Sequence, residues 1–177
     1  YDLAGIPSHI EGDPYTQNNY RPTSSFDNAY WALDNNKFTE RSQRFFGNAY
    51  AKYSTKFGTE NQKLDVKYQL GTDAYTTNYT DLWGYGHANG YGSIDHYGYT
   101  INEVNSLLTF NYDWNINEEL NLNVLAGNEF VHKTKKYYDS YGSDFNYSGW
   151  NHINNASVYQ ASESYRKSRT VGNFVNL

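Results

Sequence analysis

Cysteine and methionine are both missing from this chain. Without cysteine there is no disulfide framework and no thiolate metal site, and the redox compartment is left open. Long apolar runs are missing too, since no stretch approaches the ~18 consecutive apolar residues of a membrane-spanning helix. A basic field is also lacking. Lys and Arg number 14 against 19 Asp and Glu, a net charge of −5, and a chain of that sign does not attract nucleic-acid phosphates. The hydrophobic fraction is 38% and the mean hydropathy −0.89, low for a domain of 177 residues that must fill its own interior. The chain opens at Tyr1 with no initiator Met or signal peptide, which reads as a processed or truncated chain.

Aromatic residues are abundant, with 20 Tyr, 9 Phe and 4 Trp. That enrichment argues against disorder. Tyr favours strands and suits surfaces that are wet on one side, because it joins an apolar body to a polar tip. The segment KLDVKYQLGTD sets Leu64, Val66, Tyr68 and Leu70 on one side of an extended chain, against Lys63, Asp65, Lys67, Gln69 and Asp73 on the other.

Residues 1–40 lack periodicity and read as an irregular segment; residues 41–177 carry the strand candidates. The first strand candidate is RFFGNAYAKYS, with Phe45, Ala49, Ala51 and Tyr53 opposite Arg44, Asn48, Tyr50 and Lys52. The second runs from Lys63 to Thr80. The third runs from Tyr97 to Trp114 and sets Val104, Leu108, Phe110, Tyr112 and Trp114 opposite Asn105, Thr109, Asn111 and Asp113. The fourth, LNLNVLAGNEF, alternates Leu120, Leu122, Val124 and Ala126 against Asn121, Asn123 and Glu129, and the fifth spans Tyr165 to Leu177.

The connections alternate in length. TKFGTENQ and NINEE are short, whereas DLWGYGHANGYGSID and the stretch from Asp139 to Ser162 are long and rich in Gly, Tyr and Asn. An antiparallel meander then gathers the long loops at one end, joined there by residues 1–40. Outer-membrane barrels are built this way, with tight periplasmic turns and long external loops. The second and third candidates are also far longer than the usual five or six residues. A closed barrel needs about 8 strands, and an open edge in lipid strands backbone groups without partners. The expectation is an all-β, antiparallel transmembrane segment of five long strands, part of a larger barrel.

Several stretches in succession resemble the SusC-like family of TonB-dependent outer-membrane transporters of Bacteroidetes. NAYWALDNN resembles the family's Asn-Pro-Tyr-Trp segment, with Ala29 where Pro is favoured. RFFGNAYAKYS is similar to its Arg-Phe-x-Gly-Asn strand opening. KLDVKYQLGTDAYT looks like the strand that ends in Gly-x-Asp-x-Tyr, and NSLLTFNYDWNINEELNLNVLAGNEF like the hairpin that closes on Leu-Leu-x-Gly-x-Glu. SRTVGNFVNL fits the strand after the next external loop, so the likeness covers residues 28–177. The family's plug domain, its energy-coupling box and the rest of a barrel of about 22 strands have no counterpart in this sequence. The resemblance implies a place in the bacterial outer membrane and import of glycan fragments or peptides. A SusD-like surface lipoprotein would act as lid, and the TonB complex would act through a plug. It implies neither a cofactor nor covalent chemistry, and the chain is not read as an enzyme.

On alternation alone, Asp73, Tyr75, Tyr79, Tyr97 and Tyr99 share one face and, with Trp83, form the candidate substrate contacts, because aromatic faces beside carboxylates suit sugar rings. The competing reading is that these residues pack against a plug or one another. Tyr85, His87, Tyr91, Tyr141, Tyr147 and Trp150 fall on the long loops as candidate contacts to substrate or lid, unless they only order those loops. Phe110, Tyr112 and Trp114 fit a periplasmic aromatic girdle. Lys133, Lys135 and Lys136 would meet lipopolysaccharide phosphates or water.

Asp144, Asn146 and Ser148 followed by Gly149 match the opening of a Ca²⁺ loop, but Asn155 stands where the bidentate Glu belongs. A polar turn is the default there. GYGHANG has one residue too many for a dinucleotide fingerprint and follows no βα unit. The five His show no metal-ligand spacing. Two rival classes stand beside the transporter: a soluble, secreted β-rich glycan-binding module, and a structural outer-membrane barrel or adhesin.

Overall fold

The computed structural model describes residues 5–19, 26–58, 60–88 and 90–177. Among the described residues it is all-β, with two short strands, one α-helix, one 3-10 turn (Ile153–Asn155) and five long strands: β1 (His9–Ile10), β2 (Asp13–Gln17), α1 (Ala29–Asn35), β3 (Lys37–Phe57), β4 (Gln62–Trp83), β5 (Ser93–Asn115), β6 (Asn121–Phe145) and β7 (Ala156–Asn176). The long strands form an antiparallel sheet in the order β3-β4-β5-β6-β7, which is not closed into a barrel; β1 and β2 pair separately.

All five expected strands are present, and each is longer than its alternating segment. The connections are residues 58–61, 84–92, 116–120 and 146–155, so the short–long alternation holds. The stretch expected to be a loop from Asp139 to Ser162 is strand at both ends, because the period-2 pattern fades into Tyr- and Ser-rich sequence that still pairs its backbone. Residues 1–40, expected to be irregular, carry the β1–β2 ladder and α1 within their described part. Asn28 caps α1 by accepting from the amides of Tyr30 and Trp31, a local signal that the lack of long-range periodicity masked.

By contact density the chain divides into two compact units. The first is Tyr1–Ser42, Thr77–Tyr99 and Tyr137–Ser164; the second is Gln43–Thr76, Thr100–Lys136 and Tyr165–Leu177. The first unit has a small core of Leu82, Ile94, Phe145 and Ala156, with Tyr85 and Ile153 against it. Trp31 of α1 is fully buried and reaches Gly86. Gly86 has φ +90°, and a Cβ there would strike the Tyr15 carbonyl, so that close approach requires glycine.

Polar side chains fasten the N-terminal segment to the connection 84–92. Gln17 donates to Asp27 and to the Gly86 carbonyl, Asp27 also accepts from the Ala88 amide, and Asn36 accepts from the Gly84 amide. The second unit has no comparable core. Among its described residues, Ile101 is the one buried hydrophobic side chain. Leu64, Val66, Leu108 and Leu122 are half-exposed rather than enclosed.

Candidate functional site

In the second unit, cross-strand contacts define which side chains share a face. On one face Arg44 Nε and Nη2 donate to the two carboxylate oxygens of Asp73 at 2.9 and 2.6 Å. Lys133 pairs with Glu103 at 3.2 Å, and Lys52 and Lys63 converge on Asp65 at 3.3 and 2.9 Å. The Lys67 ammonium stands 4.8 Å from the Tyr50 ring centre, and Asn123 donates to both Asp113 and Asn111. These residues alternate along β3, β4, β5 and β6, so one side of that sheet is an ionic face with Phe46 and Tyr50 exposed among the charges.

The opposite face carries Phe45, Tyr53, Tyr68, Leu70, Val104, Phe110, Val171 and Val175, each at least 39% exposed. Phe57 stacks on Tyr112 there at 6.1 Å, and the Tyr112 hydroxyl donates to Gln62. The apolar character is interrupted toward β7, where Asn128 donates to Asn173 at 2.8 Å and Arg169 to His132 at 3.4 Å. Phe110, Tyr112 and Trp114 stand near the short connection 116–120, closed by Asn117, whose side chain accepts from the Glu119 and Leu120 amides.

The ionic face contains a cavity of about 210 Å³ lined by Arg44, Asp73, Tyr75, Ile101, Glu103 and Lys133. The Arg44 guanidinium also lies over the Tyr75 ring at 5.8 Å. Asp73 and Tyr75 are thus brought together as their spacing predicts. Arg44, Glu103 and Ile101 were not among the sequence candidates. Nothing in local sequence joins Arg44 to Asp73, which stands 29 positions away. Lys133, read as a contact for lipopolysaccharide or water, pairs with Glu103 and stays partly exposed.

The remaining candidates lie in the first unit. Tyr79 and Tyr97 stack at 4.8 Å and 10°, Tyr99 contacts Tyr79, and the Tyr97 hydroxyl donates to Asp81 at 3.3 Å. Trp83, expected at the start of a loop, is the last residue of β4 and meets Phe38 edge-on at 5.2 Å. Tyr141, also expected on a loop, lies within β6. Tyr85, His87 and Tyr91 occupy the connection 84–92, where Tyr85 contacts Tyr91 at 5.9 Å and Trp83 contacts His87 at 5.9 Å.

In the connection 146–155, Tyr147, Trp150 and His152 form a parallel stack at 5.8 and 5.4 Å. Asn155, 1% exposed, holds that stack by donating to the Tyr147 and Trp150 carbonyls. Of the calcium-loop pattern, Asn146 serves closure of this connection. Asp144 belongs to β6, and Asn146 donates to the Asn155 carbonyl while accepting from Ser157. Among the described residues no group of three or more His, Asp or Glu is placed to hold a metal ion.

The class that this geometry defines is an open antiparallel sheet whose second unit has an ionic face and an apolar, water-exposed face. No model of a known protein family matches the chain, and no curated protein matches it. No helix among the described residues is long and apolar enough to cross a membrane, which says nothing about crossing by strands.

Proposed function

We propose that this chain forms part of the wall of an outer-membrane transporter barrel, of the SusC-like kind that its motifs resemble. On this reading the apolar face of the second unit meets hydrocarbon, and the ionic face lines a wet lumen. The two-faced sheet is the single observation that carries the reading. A water-soluble protein rarely leaves a large apolar patch uncovered, and Phe45, Tyr68, Leu70, Val104 and Phe110 stand exposed on one face of three neighbouring strands. The edge strands β3 and β7 span Lys37–Phe57 and Ala156–Asn176. Edges of that length call for further strands, because an unpaired backbone group in lipid costs several kcal/mol.

The aromatic clusters of the first unit would then meet the cargo, a glycan fragment or peptide, or a SusD-like lipoprotein acting as lid. Energy would come from the TonB complex through a plug. No residue is assigned a covalent step.

The test uses the protein as its gene encodes it, expressed in its native host. It should remain in the outer-membrane fraction after carbonate extraction and migrate differently on gels before and after boiling. A monodisperse, cooperatively melting protein in buffer without detergent would instead establish the soluble glycan-binding reading, for which the exposed Tyr147–Trp150 stack provides a platform. An outer-membrane protein with no uptake defect on deletion would favour the structural barrel or adhesin.

A further inference from the structure

We propose that the cavity between Arg44, Asp73, Tyr75, Ile101, Glu103 and Lys133 takes a dipolar ligand, one that carries an ammonium and a carboxylate together, such as a free amino acid or a dipeptide with both ends unblocked. The proposal deepens the transport reading and rests on it for the direction of traffic; the cavity itself rests on the second unit's geometry. The sheet order places a cation on β3, an anion on β4, an anion on β5 and a cation on β6, so the wall is electrically neutral. A ligand with one charge would leave one wall charge in excess. A dipolar ligand can set its carboxylate at one of the two cations and its ammonium at one of the two anions without net imbalance.

The resident pairs leave donors and acceptors for this. The Asp73 pair engages Nε and Nη2 of Arg44, so Nη1 lies outside it; the Glu103 pair engages Oε2, so Oε1 lies outside it. A guanidinium and a carboxylate are the groups that recognise these charges with directional hydrogen bonds. Buried Ile101 and the Tyr75 ring supply apolar contact for a side chain. Size sets the scale. At about 210 Å³ the cavity is below the roughly 300 Å³ at which pockets for larger ligands begin, so it suits a small ligand or one terminus rather than an oligomer.

The experiment is titration calorimetry on the detergent-purified protein, full length as its gene encodes it, with glycyl-tyrosine as the probe. Binding is expected, and acetylating the amino end or amidating the carboxyl end should weaken it at least tenfold. Glu103→Gln should weaken it to a similar extent with an unchanged melting transition, whereas Lys52→Gln, outside the cavity, should not alter it. No binding of glycyl-tyrosine, or equal binding of the blocked dipeptides, overturns the proposal. Maltotriose binding with the same dependence on Glu103 overturns it as well. Carbonate extraction of the same protein reads the membrane assignment separately, so either idea can fail alone.

Discussion

Leu108 gives the most direct measurement of which solvent touches the apolar face. It lies on β5, the central strand of the sheet, half-exposed and on the same side as Val104 and Phe110. If that side meets hydrocarbon, Leu108→Lys places an ammonium in lipid, at a cost of about 2–4 kcal/mol near the bilayer midplane. At about 1.4 kcal/mol per tenfold, that is a factor of roughly 30 to 1,000 in the folding equilibrium. If the side meets water, a half-buried leucine loses only part of its apolar burial, about 1 kcal/mol, since full burial is worth about 1.5–3.

Thr109→Lys, one residue on and therefore on the ionic face, is the control. It should fall within about 0.5 kcal/mol of wild type, as surface substitutions do. The assay is urea titration of the protein folding into phosphatidylcholine vesicles, followed by tryptophan fluorescence. A Leu108→Lys cost below about 1 kcal/mol, with no difference between neighbouring positions, would refute the two-solvent argument. Cooperative folding of the wild type in plain buffer would do the same.

Three further outcomes follow from particular contacts. Trp31→Ala empties a fully buried site in the first unit and should cost about 3–5 kcal/mol; limited proteolysis should then cut earlier around residues 84–92. Asn155→Ala takes the side-chain donor from the Tyr147 and Trp150 carbonyls, of which Trp150 keeps the His152 amide, at about 1–3 kcal/mol, and the near-ultraviolet dichroism of the Tyr147–Trp150 stack should fall. Asp13 accepts from the Thr16 hydroxyl and the Tyr15 amide, which hold its carboxyl below the ordinary carboxylate value. A carboxyl lowered in the folded state contributes above its unfolded value and loses that contribution as the pH falls through the folded one. The Tyr15 and Thr16 amide resonances should therefore stay fixed at neutral pH and move only in acid below that ordinary value, whereas Asp13→Asn should remove the pH dependence.

Local chemistry decided the strands. Alternation in Lys63–Asp73 and in the segments around Leu108 and Leu122 fixes an extended backbone with two unlike faces, because the side-chain period of a strand is 2 whatever its neighbours are. Asn28 and Asn117 could likewise be placed by type, since their side chains bond backbone amides only two or three residues away. What lay beyond the sequence depends on partners distant along the chain. The union of Arg44 with Asp73 and of Lys133 with Glu103, the burial of Trp31 against Gly86, and the use of Asn155 as an internal clamp all depend on register between strands and packing between connections. A side chain's type states which bonds it can make. Only the tertiary structure brings the other half of each bond within reach.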